Sequence, residues 1–155
     1  MEWLAPGVSQ LNDLITFLRR KAQTNDIVKK HLIMELRDNL NLFKNAYINH
    51  SSYDRLAGLL SNEAYKEAIR NNFSYKKFKR DLIGVDDVAD GRNKKYIGWT
   101  LERLAFKIDE KIVELKNIRE LNGGSFVHAK NDIPLMFSNL YFRMKLMADL
   151  IRLGN

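Results

Sequence analysis

The segment NKKYIGWTLERLAFKIDEKIVELKNIREL, residues 93–121, decides the fold. Its Ile97, Leu101, Leu104, Ile108, Ile112, Leu115 and Ile118 recur at steps of three and four, which sets them along one face of a helix that turns once every 3.6 residues. Trp99, Phe106 and Val113 flank that stripe and widen it enough to touch neighbours on two sides. The Asn-Gly-Gly that follows Leu121 is a stop signal, so a long helix is expected over about 93–121.

Outward from this segment, the same periodicity recurs three times. Leu11, Leu14, Ile15 and Leu18 share a face of a helix expected over about 9–22, which closes on the basic run Arg19, Arg20, Lys21. Thr24, Asn25 and Asp26 offer caps for a second helix over about 26–48, carrying Val28, Leu32, Leu36, Leu40, Phe43 and Tyr47. Near the C-terminus NDIPLMF restarts a helix with Pro134 in its first turn, and Ile133, Phe137, Leu140, Met144, Met147 and Ile151 run along it to about Leu153. Between the second and third long helices, Ser51 with Asp54, then Ser61, then Ser74 precede short amphipathic pieces, so three short helices are expected over 51–83. The stretch GVDDVADG, residues 84–91, reads as a loop. No alternating β-branched run competes. The expected fold is all-α, a single helical domain across residues 1–155, built as a bundle of four long amphipathic helices with about three short ones between the second and third. Trp3 and Leu4 stand outside any helical pattern, before Pro6 and Gly7, and are expected to pack onto the bundle or across a subunit interface.

Composition narrows the class. With 45% hydrophobic and 29% charged residues and two prolines the chain is that of a folded domain. Cysteine is absent, which removes disulfides and thiolate metal sites and suits a reducing compartment. The start MEWLAPGVSQ lacks the basic region and apolar run of a secretory signal, and no run approaches the roughly 18 apolar residues of a membrane span. A soluble, cytoplasmic protein with no membrane partner is expected. The net charge of +7 and pI near 9.6 favour attraction to polyanions.

That charge concentrates in NNFSYKKFKRD, residues 71–81. If Ser74 caps a helix, Phe73 and Phe78 form a hydrophobic staple, and Tyr75, Phe78 and Leu82 fall on its inner face. Lys76, Lys77, Lys79 and Arg80 then lie around the opposite side, an anion-binding or nucleic-acid-binding candidate that Arg92, Lys94 and Lys95 extend from the start of the next helix. A stacking surface made of the local aromatics is disfavoured, since they are turned inward.

Catalytic and metal motifs fail on inspection. His31, Glu35 and Asp38 fall at i, i+4 and i+7, a spacing able to face a metal, but a charged stripe beside an apolar one is ordinary in an amphipathic helix, and no metal site is expected. A calcium loop begun at Asp86 places Asp90 and Gly91 correctly, yet puts Val88 third and Ile97 twelfth, where a bidentate Glu is required. No Gly is followed by Lys, which excludes a phosphate loop, and GGSFVH, residues 123–128, lacks the elbow a nucleophilic serine needs. HEPN ribonucleases carry Arg, four to six residues, then His. The required positions hold Thr24, Asn25 and Asp26 before His31, Phe43, Lys44 and Asn45 before His50, and Leu121, Asn122 and Gly123 before His128. No cofactor and no catalytic residue is assigned. The expectation is a non-enzymatic interaction module whose basic surface takes nucleic-acid backbone or an acidic protein. The alternatives are a nuclease or toxin-like enzyme of the HEPN type with an unrecognised site, and a homo-oligomeric or obligate subunit of a larger complex.

Overall fold

A computed structural model describes residues 1–154, and these are all helix, turn and loop. Six α-helices follow in order: α1 (Val8–Lys21), α2 (Ile27–Ile48), α3 (Tyr53–Leu59), α4 (Glu63–Arg70), α5 (Leu101–Leu121) and α6 (Ile133–Leu153). Single 3-10 segments occur at Glu2–Gly7, Tyr75–Lys77, Val85–Asp87 and Gly91–Tyr96. Three of the four long helices stand where the periodicity puts them, and α2, α5 and α6 are capped locally. Asp26 accepts from the Lys29 N–H at 3.2 Å, Thr100 from Arg103 at 3.1 Å, and Asp132 from Leu135 at 3.2 Å.

Helix α6 is the centre of the molecule. It packs against α5, α2, α1 and α3, and beyond the expected stripe it also buries Tyr141, Leu146, Ala148 and Leu150. A helix apolar nearly all round has to be enclosed, and the other long helices enclose it. Trp3 and Leu4 close one side: Leu4 is buried, while the Trp3 ring lies 5.4 Å from that of Tyr141 and its Nε1–H donates to the Tyr53 hydroxyl at 3.3 Å.

Two boundaries depart from the expectation. Helix α5 begins at Leu101, not near residue 93. Gly98 takes φ +90°, outside the helical region, and the chain there is held by two backbone bonds, Ile83 N–H to the Trp99 carbonyl and Gly98 N–H to the Ile83 carbonyl, both 2.8 Å. Apolar spacing runs unbroken through this junction, so periodicity cannot see it. The third short helix is only the turn Tyr75–Lys77. Because the Ile83 backbone is clamped to residues 98–99, Ile83 enters the core while Leu82 turns outward, 56% exposed. Among the described residues no helix is long and apolar enough to cross a membrane.

Candidate functional site

The aromatics of residues 71–81 are structural. Phe73, Tyr75 and Phe78 are buried and the Phe73 and Phe78 rings lie 5.6 Å apart, but Ser74 makes no cap hydrogen bond and only the turn Tyr75–Lys77 follows it, so the contact is core packing and not the helix staple expected. The four basic residues divide into two kinds. Lys77 reaches back to Asp26, Nζ to Oδ2 2.6 Å, and lies 5.3 Å over the Phe73 ring. The Lys77 ammonium, more than the Lys29 N–H that Asp26 also accepts, holds the Asp26 carboxyl below its ordinary pKa. Lys79 pairs with Asp87 at 3.3 Å and is only 13% exposed. Lys76 and Arg80 have no carboxylate partner among the described residues.

Lys76, Lys79 and Arg80 line one cleft of about 220 Å3, whose other wall is Thr100, Leu101 and Glu102, the start of α5. The first N–H groups of a helix have no partner within it. Thr100 satisfies that of Arg103, but the N–H groups of Leu101 and Glu102 have no acceptor among the described residues. The cleft therefore combines three cationic side chains, two unpaired N–H donors and the positive end of a 21-residue helix. Asp81 and Glu102 stand in the same lining and set a limit on how much negative charge it accepts.

The remaining candidates sit outside this lining. Arg92 lies 3.8 Å over the Phe142 ring and pairs with Asp90 at 3.2 Å. Lys95 lies 5.4 Å over Tyr96, and Lys94 is exposed without a carboxylate partner among the described residues. The clamp between Ile83 and residues 98–99 nevertheless ties the chain carrying Arg80 to the chain carrying Arg92, Lys94 and Lys95, immediately before α5. Two arginines that the pattern did not single out join them: Arg103, stacked 3.9 Å over Trp99, and buried Arg143, whose Nε–H donates to the Tyr96 hydroxyl at 2.6 Å.

His31, Glu35 and Asp38 do share a recess, of about 300 Å3, with Ser61, Glu63 and Glu67. Its groups are occupied with one another. Glu35 accepts from the Ser61 hydroxyl at 2.6 Å and the Ala64 N–H at 3.1 Å, so a carboxylate from α2 caps α4, whose own N-cap, Asn62, instead donates its side chain to Asp109 at 2.8 Å. Asn39 brackets Ser61 through both its N–H and its carbonyl. His31 Nδ1 lies 2.8 Å from Glu67, and Arg37 lies 2.8 Å from Asp38. Burial raises the Glu35 pKa against the lowering effect of the Ser61 and Ala64 hydrogen bonds. Glu35 and Asn39 stand among the apolar stripe of α2, and that polar interruption is the one sequence signal of the cap.

The loop acids behave likewise. Asp87 accepts from the Gly84 N–H at 2.7 Å, and Asp90 from that of Arg92 at 3.0 Å. Ser125 and the Phe126 N–H are tied to Asp54, at 3.4 and 2.7 Å. No three His, Cys, Asp or Glu side chains among the described residues are grouped to hold a metal ion. No protein-family model matches the chain, and no curated protein or solved structure resembles it.

Proposed function

We propose that this protein is a non-enzymatic helical module that holds the phosphate backbone of a nucleic acid at the start of α5. The observation that carries the reading is the pairing, in one cleft, of Lys76 and Arg80 with the N–H groups of Leu101 and Glu102, the former lacking carboxylate partners and the latter acceptors among the described residues. A phosphate oxyanion satisfies such a set at once: a planar guanidinium takes two of its oxygens, and helix N–H groups take another. Lys94, Lys95, Arg92 and Arg103, carried on the segments clamped beside the cleft, supply further charge along a backbone. Asp81 and Glu102 in the cleft lining oppose part of this charge, so binding is moderate, and because it runs through phosphate contacts it weakens as salt rises. In this reading the protein works in the cytoplasm, alone or as a subunit.

The test is association of the purified protein with DNA and RNA strands across a salt series, with strand length followed on a gel. Binding that weakens with salt and leaves the strand intact is the expected result. Shortening of the strand identifies an enzyme of the nuclease class. Capture of an acidic protein with no affinity for either nucleic acid moves the same surface to a protein partner.

A further inference from the structure

Resting on the phosphate reading above, we infer that the strand is single, and that one of its bases seats against Phe106 beside the phosphate cleft. A second recess, of about 240 Å3, adjoins the cleft and shares Tyr75 and Glu102 with it; Ile69, Phe73 and Phe106 form its apolar wall. The chain contains two Trp, six Tyr and eight Phe, and of these Phe106 alone is exposed, at 43%. It stands at the edge of the α5 stripe, where Glu102, Arg103, Lys107 and Glu110 on the outer side are polar and Val113, seven residues on, is likewise exposed. Tyr75 supports it from below, ring to ring 6.3 Å at 84°.

A nucleotide carries an anion and a flat apolar ring on one sugar, and a cationic cleft joined to an aromatic shelf matches both parts. Stacking of this kind is open only to bases that are free of a duplex, because paired bases hide their faces in the helix. The two polar residues of the recess suit a base edge. Asn72 offers donors and an acceptor, and the Glu102 carboxylate accepts from an exocyclic amine while opposing a second phosphate at the boundary between cleft and recess.

The experiment is fluorescence anisotropy at about 0.1 M salt. It uses three probes: a labelled single strand of about 12 nucleotides, within the usual span of such sites, the corresponding duplex, and inorganic polyphosphate as competitor. Wild type is expected to favour the single strand over the duplex. Phe106→Ala is expected to lower single-strand affinity about tenfold, the usual effect of removing one stacking aromatic, and to leave competition by polyphosphate unchanged. Phe106→Leu, which keeps the apolar cover and so the fold, should lose nearly as much. The double variant Lys76→Gln, Arg80→Gln should weaken all three probes. Unchanged single-strand binding by Phe106→Leu, or equal wild-type affinity for duplex and single strand, overturns the base shelf while leaving the phosphate cleft standing. Wild type that binds none of the three overturns both.

Discussion

Two concave regions of this molecule are rich in charge, and they differ in where that charge is answered. In the recess between α2 and α4, Glu35 is consumed by Ser61 and Ala64, His31 faces Glu67, and Asp38 faces Arg37. In the cleft at the start of α5, Lys76 and Arg80 face no carboxylate partner, and two helix N–H groups no acceptor, among the described residues. Buried polar groups stabilise a fold when they are partnered within it. Donors left open at a surface are available to something outside. The first region therefore reads as architecture and the second as a site, although the sequence spacing of His31, Glu35 and Asp38 looks the more chemical of the two.

The comparison breaks most visibly at Glu35. Glu35→Ala strips the acceptor from the Ser61 hydroxyl and the Ala64 N–H and uncaps α4, and should cost about 2–4 kcal/mol in urea unfolding. Nucleic-acid affinity of the folded fraction should not change. A loss below about 0.5 kcal/mol, the scale of an ordinary surface change, would mean the α2–α4 seam is not held by this carboxylate.

The converse variant, Lys76→Gln with Arg80→Gln, should leave the unfolding midpoint in place while lowering the slope of log affinity against log salt by about 2, one for each lost phosphate contact. Measured as paired titrations, the two variants separate stability from binding if the regions are as distinct as their partners indicate.

A smaller effect distinguishes Glu35 by pH. Burial raises its pKa above the ordinary 4.5, so the folded state favours the protonated carboxyl. The stability this contributes is complete below about pH 4.5 and is lost as pH rises through the raised folded value. The stability of wild type relative to Glu35→Gln should therefore fall as pH climbs from 4.5, in chemical denaturation run at matched salt. Asp149, also raised by burial, is common to both proteins and cancels. Asp26 has the opposite sign: its lowered pKa stabilises the fold above its ordinary 3.8 and is lost only in stronger acid.

The least change is expected at Lys77. Its bond to Asp26 joins the turn at Tyr75–Lys77 to the start of α2, but the ammonium is half exposed, so Lys77→Gln should cost under about 1 kcal/mol. Its affinity for a strand should stay within about twofold of wild type, because Lys77 is absent from the cleft lining.

Helices α1, α2 and α5 were legible because each buries an apolar stripe against its neighbours, and α6 because its buried positions still recur at helical spacing. Trp3 and Leu4 were legible for the related reason that large apolar side chains outside a pattern need cover. The N-terminus of α5 was not, since Ile97 and Trp99 continue the spacing while Gly98 and the Ile83 clamp break the backbone. Leu82 and Ile83 exchanged roles through that same clamp, a contact between segments that no local pattern encodes. Of the seven basic candidates, the sequence could name the residues but not sort them. Asp26, Asp87 and Asp90, which pair with Lys77, Lys79 and Arg92, lie from two to more than fifty residues away, and only the fold reveals which charges they neutralise. Phe106 was grouped with the stripe of α5 as a flanking apolar residue, and its exposure beside the cleft emerged only from the packing of α4.

The most direct measurement is a backbone amide NMR titration of the intact protein with a short single strand. The amide signals of Leu101 and Glu102 are expected to move first and farthest, together with those of residues 74–81, while those of residues 31–38 and 63–67 stay fixed. Shifts centred on the α2–α4 recess, or saturable binding that leaves Leu101 and Glu102 unmoved, would contradict that expectation.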